Sequence, residues 1–287
     1  MGVSDRGEDW NWTKNDGAGP PPEIDITKPS IARVYDFFLD GKDNFAVDRE
    51  IGEMTLRIVP DAKEAGRASR RFLQRVVHHL AAEEGIRQFI DLGSGLPTQG
   101  NVHEVAQRVD PSARVVYVDN DPIVLTHGRA LLATNDTTTV IQADIRDPEA
   151  IYANATLRRF IDFSEPVGLL MFSILHHLHD DEDPWGIADR LREPLAPGSF
   201  LAMANFFDAQ DEHPESSKQA ETMEKVFNEH LGTGRWRTRE ELMRFVGDFE
   251  LLEPGLVPLA DWRPEPGESW ERSATYYTFS GAVARKP

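Results

Sequence analysis

The chain has 287 residues, of which 40% are hydrophobic, enough apolar material for one large α/β domain or two small ones. Its 31 lysines and arginines against 49 aspartates and glutamates give a net charge of −18, which disfavours a nucleic-acid partner or an anionic membrane surface. Cysteine is absent, so disulfides, thiolate-bound metals and a cysteine nucleophile are excluded.

The first 22 residues are polar and rich in glycine and proline, a composition that predicts a disordered tail. They contain no apolar segment of the kind that a secretory signal requires. The longest apolar run, Val167 to Leu175, is too short to cross a bilayer. We therefore expect no membrane association and a cytoplasmic location.

Three helices are predicted before the first strand, over Ser30 to Leu39, Ala46 to Ile58 and about Ala62 to Glu84. Ser30 is placed to cap the first of them. Tyr35 lies on that helix, and Asn44 and Phe45 lie in the loop that follows it. An amide in a loop is a poor core residue and a good ligand group, so we favour a binding role for Asn44.

The strongest pattern in the sequence is a strand–turn–helix–strand unit. Its parts are the apolar strand Phe89 to Leu92, the turn Gly93-Ser94-Gly95, a helix over Asn101 to Val109, and the strand Val115 to Val118, which is closed by Asp119. This order is typical of the first unit of a nucleotide-binding parallel sheet.

Three acids decide between possible ligands of this sheet. Asp91, Asp119 and Asp144 each end or follow one of three successive strands, and the glycine turn contains no lysine or arginine. Asp91 would repel a pyrophosphate but suits an ammonium group, and Asp119 suits ribose hydroxyls. The pattern favours S-adenosylmethionine, which is cationic and has no phosphate. An NAD-dependent oxidoreductase is the alternative, although Thr98 replaces the third glycine of the dinucleotide fingerprint.

The rest of the chain continues the alternation of strands and helices. Predicted helices cover Pro122 to Leu132, Pro148 to Phe160, Trp185 to Leu195, Gln219 to His230 and Thr238 to Val246, the last with a Thr238–Glu241 capping box. Predicted strands cover Thr139 to Ile141, Val167 to Phe172, Ser199 to Asn205, Phe249 to Leu252 and Thr275 to Val283. Asp208 to Ser217 is expected to be a loop, and the last two strands are expected to pack antiparallel.

A histidine-rich run, Ser173 to Asp180, follows the fourth strand of this sheet, where ligands bind in open α/β sheets. His176 or His177 is a candidate general base, since neutral imidazole suits proton transfer near neutral pH. The alternative is a polar loop with one buried histidine. The spacing of these residues matches no diagnostic metal motif, so no metal is predicted.

The motifs D-L-G-S-G, V-Y-V-D-N-D and Q-A-D-I-R-D resemble the first three motifs of class I S-adenosylmethionine-dependent methyltransferases. With P-S-I-A-R-V-Y-D-F-F-L-D-G-K-D-N-F-A-V-D-R-E and W-R-P-E, they also resemble a bacterial family of such methyltransferases whose substrate is unassigned. The resemblance implies a Rossmann-like α/β fold: an N-terminal helical cap over 23–84 and a methyltransferase domain over 85–287.

The resemblance also implies a role for each candidate residue. The expected cofactor-binding residues are Tyr35, Asn44, Phe45, Asp91, Gly93, Ser94, Gly95, Asp119, Asn120, Asp144, Ile145 and Ser173. S-adenosylmethionine would be the methyl donor and S-adenosylhomocysteine the product, with a small molecule as the acceptor. The cap would be either a lid over the cofactor or a homodimer interface. A non-catalytic protein that keeps the cofactor pocket is a further alternative.

Overall fold

The structure, a computed structural model, describes residues 24–97, 100–131 and 136–287. The predicted disordered tail, residues 1–22, and Thr98 lie outside these ranges. None of the helices formed by the described residues is long and apolar enough to span a membrane.

Within the described residues, eight strands form one sheet. They are β1 (Gln88–Leu92), β2 (Arg114–Asp119), β3 (Thr138–Gln142), β4 (Gly168–Phe172), β5 (Phe200–Phe206), β6 (Glu250–Leu251), β7 (Val257–Pro258) and β8 (Phe279–Arg285). Their order is β3-β2-β1-β4-β5-β8-β6, and β7 also pairs with β8. β1 to β5 are parallel, whereas β8 is antiparallel to β5, β6 and β7. The predicted α/β class and its antiparallel closing strands are confirmed, and β7 was not predicted.

The helices lie on both faces of this sheet. They are α1 (Ile31–Phe38), α2 (Ala46–Ile58), α3 (Ala62–Ala82), α4 (Val102–Val109), α5 (Pro122–Leu131), α6 (Pro148–Ala153), α7 (Ala155–Phe160), α8 (Pro184–Arg192), α9 (Pro214–Leu231) and α10 (Arg239–Val246). The Thr238–Glu241 capping box of α10 is confirmed, since each side chain bonds the other residue's backbone N–H.

Three predicted boundaries are wrong for local reasons. The helix predicted over Pro148 to Phe160 is two helices, because Asn154 ends α6 and its side chain accepts the first N–H bonds of α7. α9 begins at Pro214, inside the predicted loop, because proline fits the first turn of a helix. Thr275 to Thr278 form a 3₁₀ turn, so β8 begins only at Phe279.

Neighbouring residues of each central strand point into different cores. Phe89 packs with α3 and α4 on one face, and Ile90 packs with α6, α7 and α8 on the other. Asp91 shares the face of Phe89 because side chains alternate along a strand. Its carboxylate therefore emerges beneath α3, at the carboxyl end of the sheet.

α3 joins the cap to the sheet. Phe72 of this helix is fully buried, with its ring edge-on to Phe172 of β4 and to Trp262. Arg75, one turn further on, donates to the backbone carbonyls of Leu259 and Trp262. α3 is thus built into the core of the sheet domain, and the division of the chain at residue 84 stays a prediction.

Candidate functional site

One cavity of about 300 Å³ lies where the carboxyl ends of the parallel strands meet the N-terminal helices. At one end it is lined by the glycine turn and acidic side chains. At the other end it is lined by aliphatic and aromatic side chains of α1, α3, α9 and β5. This two-ended form is what a site for a polar cofactor and an apolar second ligand requires.

The glycine turn needs glycine at its first position. Gly93 has φ +68°, and a Cβ there would lie 2.6 Å from the Ile174 side chain. The amides of Gly93 and Ser94 donate to the carbonyl of Val118 (2.8 and 3.3 Å), and the amide of Gly95 donates to Asp119 (2.8 Å). Since all three amides are already bonded, we do not assign them to a ligand carboxylate.

The Asp119 carboxylate is held in place by backbone donors. Gly95 N–H donates to one oxygen and Asp121 N–H donates to the other (2.8 and 2.9 Å). A carboxylate has about four acceptor sites, so these two bonds leave room for two hydroxyl donors. Burial raises the pKa of Asp119, against the effect of these hydrogen bonds.

Asp91, unlike Asp119, has no backbone donor among the described residues to hold its carboxylate. Its side chain is 5% exposed, and no residue in the described part of the chain donates a hydrogen bond to it or pairs with it within 4 Å. Burial raises the pKa of Asp91 to about 7, although the nearby charge of Arg70 works against this. A buried carboxylate without a donor is costly, and a cationic ligand group would remove that cost.

Asp144, the third strand-end acid, is bonded to the loop that follows Asp119. Asn120 lines the cavity, and its amide donates to Asp144 Oδ2 (3.0 Å). Asp144 also accepts from the Arg146 backbone and is half-exposed, off the cavity wall. Ile145 lines a smaller void of about 40 Å³ with Asn120 and Ile174.

The turn after β4 brings Ser173 and both histidines to the cavity. Ser173 adopts φ +57°, a strained conformation for a residue with a side chain, and its hydroxyl lies 3.3 Å from that of Ser69. Arg237, fully buried, donates to the carbonyls of Leu175 and Leu178 (2.9 and 2.8 Å) and so fixes this turn.

Both histidines are buried and neutral. Burial lowers the pKa of His177 to about 3, helped by Arg146, and lowers that of His176 well below 6.5. His176 Nδ1 accepts a hydrogen bond from the Phe206 backbone N–H (3.2 Å). His177 Nδ1 has no partner among the described residues. A strongly lowered pKa makes an imidazole a weak base, so this environment does not favour a general base.

The cap residues divide into two groups. Tyr35 lines the cavity, whereas Asn44 and Phe45 do not. The Asn44 amide donates to Asp36 Oδ2 (2.8 Å), and Phe45 is 36% exposed, with the Arg33 guanidinium over its ring. In this structure their side chains therefore build the loop itself.

Two carboxylates, those of Asp48 and Asp121, hold the beginning of the cap in place. Buried Asp48 accepts from Ser30 N–H, Phe45 N–H and Arg33 Nε (2.8–2.9 Å). The Ser30 hydroxyl does not cap α1; it donates instead to Asp121 Oδ2 (2.6 Å). The cap is thereby tied to the loop that carries Asp119. Across the described ranges, no three His, Asp or Glu side chains are grouped as ligands of a metal would be.

The comparisons with known proteins agree with this geometry. A family model described as S-adenosyl methyltransferase matches residues 17–287. The chain belongs to the S-adenosyl methyltransferase family. It is therefore an enzyme of the methyltransferase class, and S-adenosylmethionine is the methyl donor that the family implies. A search of curated proteins gives no match.

Two solved structures resemble this family member closely. A candidate methyltransferase from Thermobifida fusca YX is 47% identical, with a TM-score of 0.86, over 93% of this chain and 98% of that one. A DUF574 family protein from Streptomyces avermitilis MA-4680 is 39% identical, with a TM-score of 0.87, over 92% and 100%. An O-methyltransferase family 2 protein from Planctomyces limnophilus DSM 3776 shares the fold at 15% identity (TM-score 0.50; 81% and 61% covered).

Sequence reasoning missed two residues of this methyltransferase's cavity. Arg70 of α3 lies near Asp91; it donates to Asn101 (3.0 Å), but its Nε is buried without a partner among the described residues. Trp236, after α9, has a buried Nε1 without a partner in the same ranges. Neither residue belongs to a recognisable sequence motif, because both lie in segments outside the strand–turn–helix unit.

Proposed function

We propose that this chain transfers a methyl group from S-adenosylmethionine to a small, largely apolar molecule. The cofactor would occupy the acidic end of the cavity and the acceptor its apolar end. The observation that carries this proposal is Asp91, a buried carboxylate without a donor, beside the glycine turn. It calls for a cationic group, and the amino-acid part of S-adenosylmethionine supplies an ammonium.

The other polar groups fit the rest of the cofactor. Arg70 lines the cavity, and its guanidinium is suited to the methionine carboxylate. Asp119 has two acceptor sites for ribose hydroxyls. Asn120 and Ile145 border the small void beside it, where adenine would be held, and Asp144 fixes the Asn120 amide. S-adenosylhomocysteine, as the product, would use the same contacts.

When bound, the cofactor supplies an activated methyl group on a sulfonium. The chain's own residues then have to hold the acceptor in line with that methyl and exclude water. The apolar end of the cavity provides the walls, and α1, tied to Asp121 through Ser30, provides the cover. A cavity of about 300 Å³ within a chain of net charge −18 suits a small acceptor better than a nucleic acid.

Binding and catalysis test this proposal separately. Isothermal titration calorimetry with S-adenosylmethionine, S-adenosylhomocysteine and NAD should give micromolar affinity for the first two and none for NAD. The Asp91→Asn variant should bind the two sulfur ligands at least about tenfold more weakly, the effect of losing a hydrogen bond to a charged group. Asp162→Asn, at an exposed site, is the matched control and should bind normally. No heat with either sulfur ligand would refute the cofactor assignment.

Methyl transfer itself can be followed with a methyl-labelled donor and an extract of small metabolites, fractionated after reaction. Label in a small-molecule fraction supports the proposed acceptor class. Label only in protein or nucleic acid would overturn it. The cytoplasmic location and the homodimer remain predictions.

A further inference from the structure

His176 is held in one tautomer by the end of the sheet. β4 stops at Phe172, while its neighbour β5 continues to Phe206. The backbone N–H of Phe206 therefore donates to His176 Nδ1 (3.2 Å). A neutral imidazole that accepts at Nδ1 carries its hydrogen on Nε2. His176 is thus a hydrogen-bond donor at its other nitrogen.

The surroundings keep this donor neutral. The ring is 2% exposed and stacks on the Phe206 ring, with centroids 3.6 Å apart. Burial lowers its pKa well below 6.5, and His177 and Arg237 add to the effect. His176 lines the cavity, and its Nε2 has no hydrogen-bond partner among the described residues. This nitrogen atom nevertheless keeps some accessible surface. The N–H is available to a ligand in the cavity.

A second aromatic side chain lies on the other side of Phe206. The Trp236 ring stacks on Phe206 with centroids 4.0 Å apart and planes 9° apart, so His176 and Trp236 sandwich the phenyl ring. Trp236 is 7% exposed, and its Nε1 has no hydrogen-bond partner within the described residues and is sealed from the cavity. Its ring therefore helps to hold Phe206 in place, and the donor that faces the cavity is the His176 N–H.

The apolar end offers nothing that could act as a base or a counter-ion. Its polar side chains are neutral: Gln219 and Thr278 are bonded to Thr275, and Thr55 Oγ1 has no partner among the described residues. Among the described lining residues, the charged side chains all belong to the acidic end: Arg70, Asp91, Asp119 and Asp121. An acceptor that needs its proton removed in place finds no group to take it.

We propose that the acceptor is a planar aromatic molecule that reacts through an ionised oxygen, a phenolate or enolate, and that His176 Nε2–H is the donor that binds this oxygen. This inference rests on the proposed function. In the transfer, a lone pair of the oxygen forms the O–CH₃ bond while the S–CH₃ bond breaks and its electron pair stays on sulfur. An anion and a sulfonium cation become two neutral molecules, without any proton to remove. An apolar, water-poor site favours such charge neutralisation.

The tautomer can be tested without a substrate. In the full-length protein labelled with ¹⁵N-histidine, His176, assigned by the loss of its signals in His176→Gln, should show a neutral ring protonated at Nε2 between about pH 5 and pH 8, as its buried environment requires. An imidazolium signal in that range, or protonation at Nδ1, would overturn the proposal.

The acceptor class is tested with 4-nitrophenol, whose ionisation is visible in its absorption spectrum. It should bind to the protein saturated with sinefungin, an analogue with an amine in place of the sulfonium, and should bind as the phenolate below its pKa in water. 4-Nitroanisole, which has no ionisable oxygen, is the matched probe. It should bind at least about tenfold more weakly, since it has no anionic oxygen to accept a charge-assisted hydrogen bond.

Variants test this donor. His176→Leu should weaken nitrophenolate binding about tenfold, and His176→Gln, which retains an N–H donor, should weaken it less. Both variants should bind S-adenosylhomocysteine normally. If wild type does not bind S-adenosylhomocysteine, the proposed function fails. If it does, but the phenol and its methyl ether bind equally, or His176→Gln behaves like His176→Leu, only the present proposal fails.

Discussion

Replacement of Asp91 by asparagine should make the ligand-free protein more stable at high pH. The pKa of this carboxyl rises from 3.8 to about 7 because it is buried. Between pH 3.8 and about pH 7, the folded state therefore keeps a proton on Asp91 that the unfolded state has lost. Stability is consequently lost as the pH rises through this window, and the full cost is present above about pH 7. At about 1.4 kcal/mol per pKa unit, the cost is on the order of 4 kcal/mol, before structural relaxation reduces it.

The pH dependence separates ionisation of Asp91 from every other effect of the substitution. A buried asparagine has its own cost, but that cost does not change with pH. The stability difference between Asp91→Asn and wild type should therefore grow by about 2–3 kcal/mol from about pH 5 to about pH 8. Urea unfolding followed by circular dichroism at the two pH values measures it.

Asp162→Asn provides the matched control. Hydrogen bonds from Ser164 lower the pKa of the exposed Asp162 carboxyl, so its ionised form stabilises the folded state and is lost only at acid pH. This variant should show no change in its stability difference between the two pH values. If the Asp91→Asn difference is equally flat, Asp91 does not titrate in this range and the argument from its burial is wrong.

Ligand should reduce the stability advantage of Asp91→Asn. Saturating S-adenosylhomocysteine stabilises each protein by RT ln(1 + [L]/Kd), and so stabilises the tighter binder more. Wild type pairs Asp91 with the ligand's ammonium, so its melting temperature should rise more than that of Asp91→Asn. Equal increases in melting temperature would show that the Asp91 carboxylate destabilises the folded protein but does not take part in ligand binding.

Three further predictions concern the turn, the ribose acid and the cap. Gly93→Ala should lower the melting temperature more than Gly85→Ala: both have positive φ, but only at residue 93 does a Cβ meet another side chain, 2.6 Å away. Asp119→Ala should weaken S-adenosylhomocysteine binding, measured by calorimetry, at least about tenfold, through loss of two charge-assisted hydrogen bonds. Hydrogen exchange across residues 31–58 should slow when the ligand is added if the cap is a lid; protection that instead falls on dilution would indicate a homodimer interface.

The fold was predictable because its central strands β1, β4 and β5 are buried on both faces. Such strands appear in a sequence as short continuous apolar runs, and each of these three was found this way. The errors arose where one residue decides a boundary. Asn154 divides a segment with uninterrupted helical character, and Pro214 begins a helix inside a polar stretch. In both cases the local signal was present, but the averaged pattern around it was stronger.

Most of the predicted residues that line the cavity belong to the strand ends, and Tyr35 of α1 is an exception. Asp91 and Asp119 follow apolar runs, so parallel packing alone brings them together. Arg70 reaches the same point from the middle of a helix, and Trp236 from the segment after α9. Helical periodicity predicts which side of α3 is buried, but not that Arg70 on this helix lies near Asp91.

Residue type and residue role separate most clearly at His176. Its position after the fourth strand predicted a histidine at the site, and an isolated imidazole suggests a base. The role depends on which nitrogen is free, and this is decided by the Phe206 N–H, thirty residues away, which β4 leaves without a strand partner. Burial then removes the proton-accepting ability that made the base attractive. A sequence can place a titratable side chain at a site, but only the partners that the fold brings to it determine whether it accepts a proton or donates a hydrogen bond.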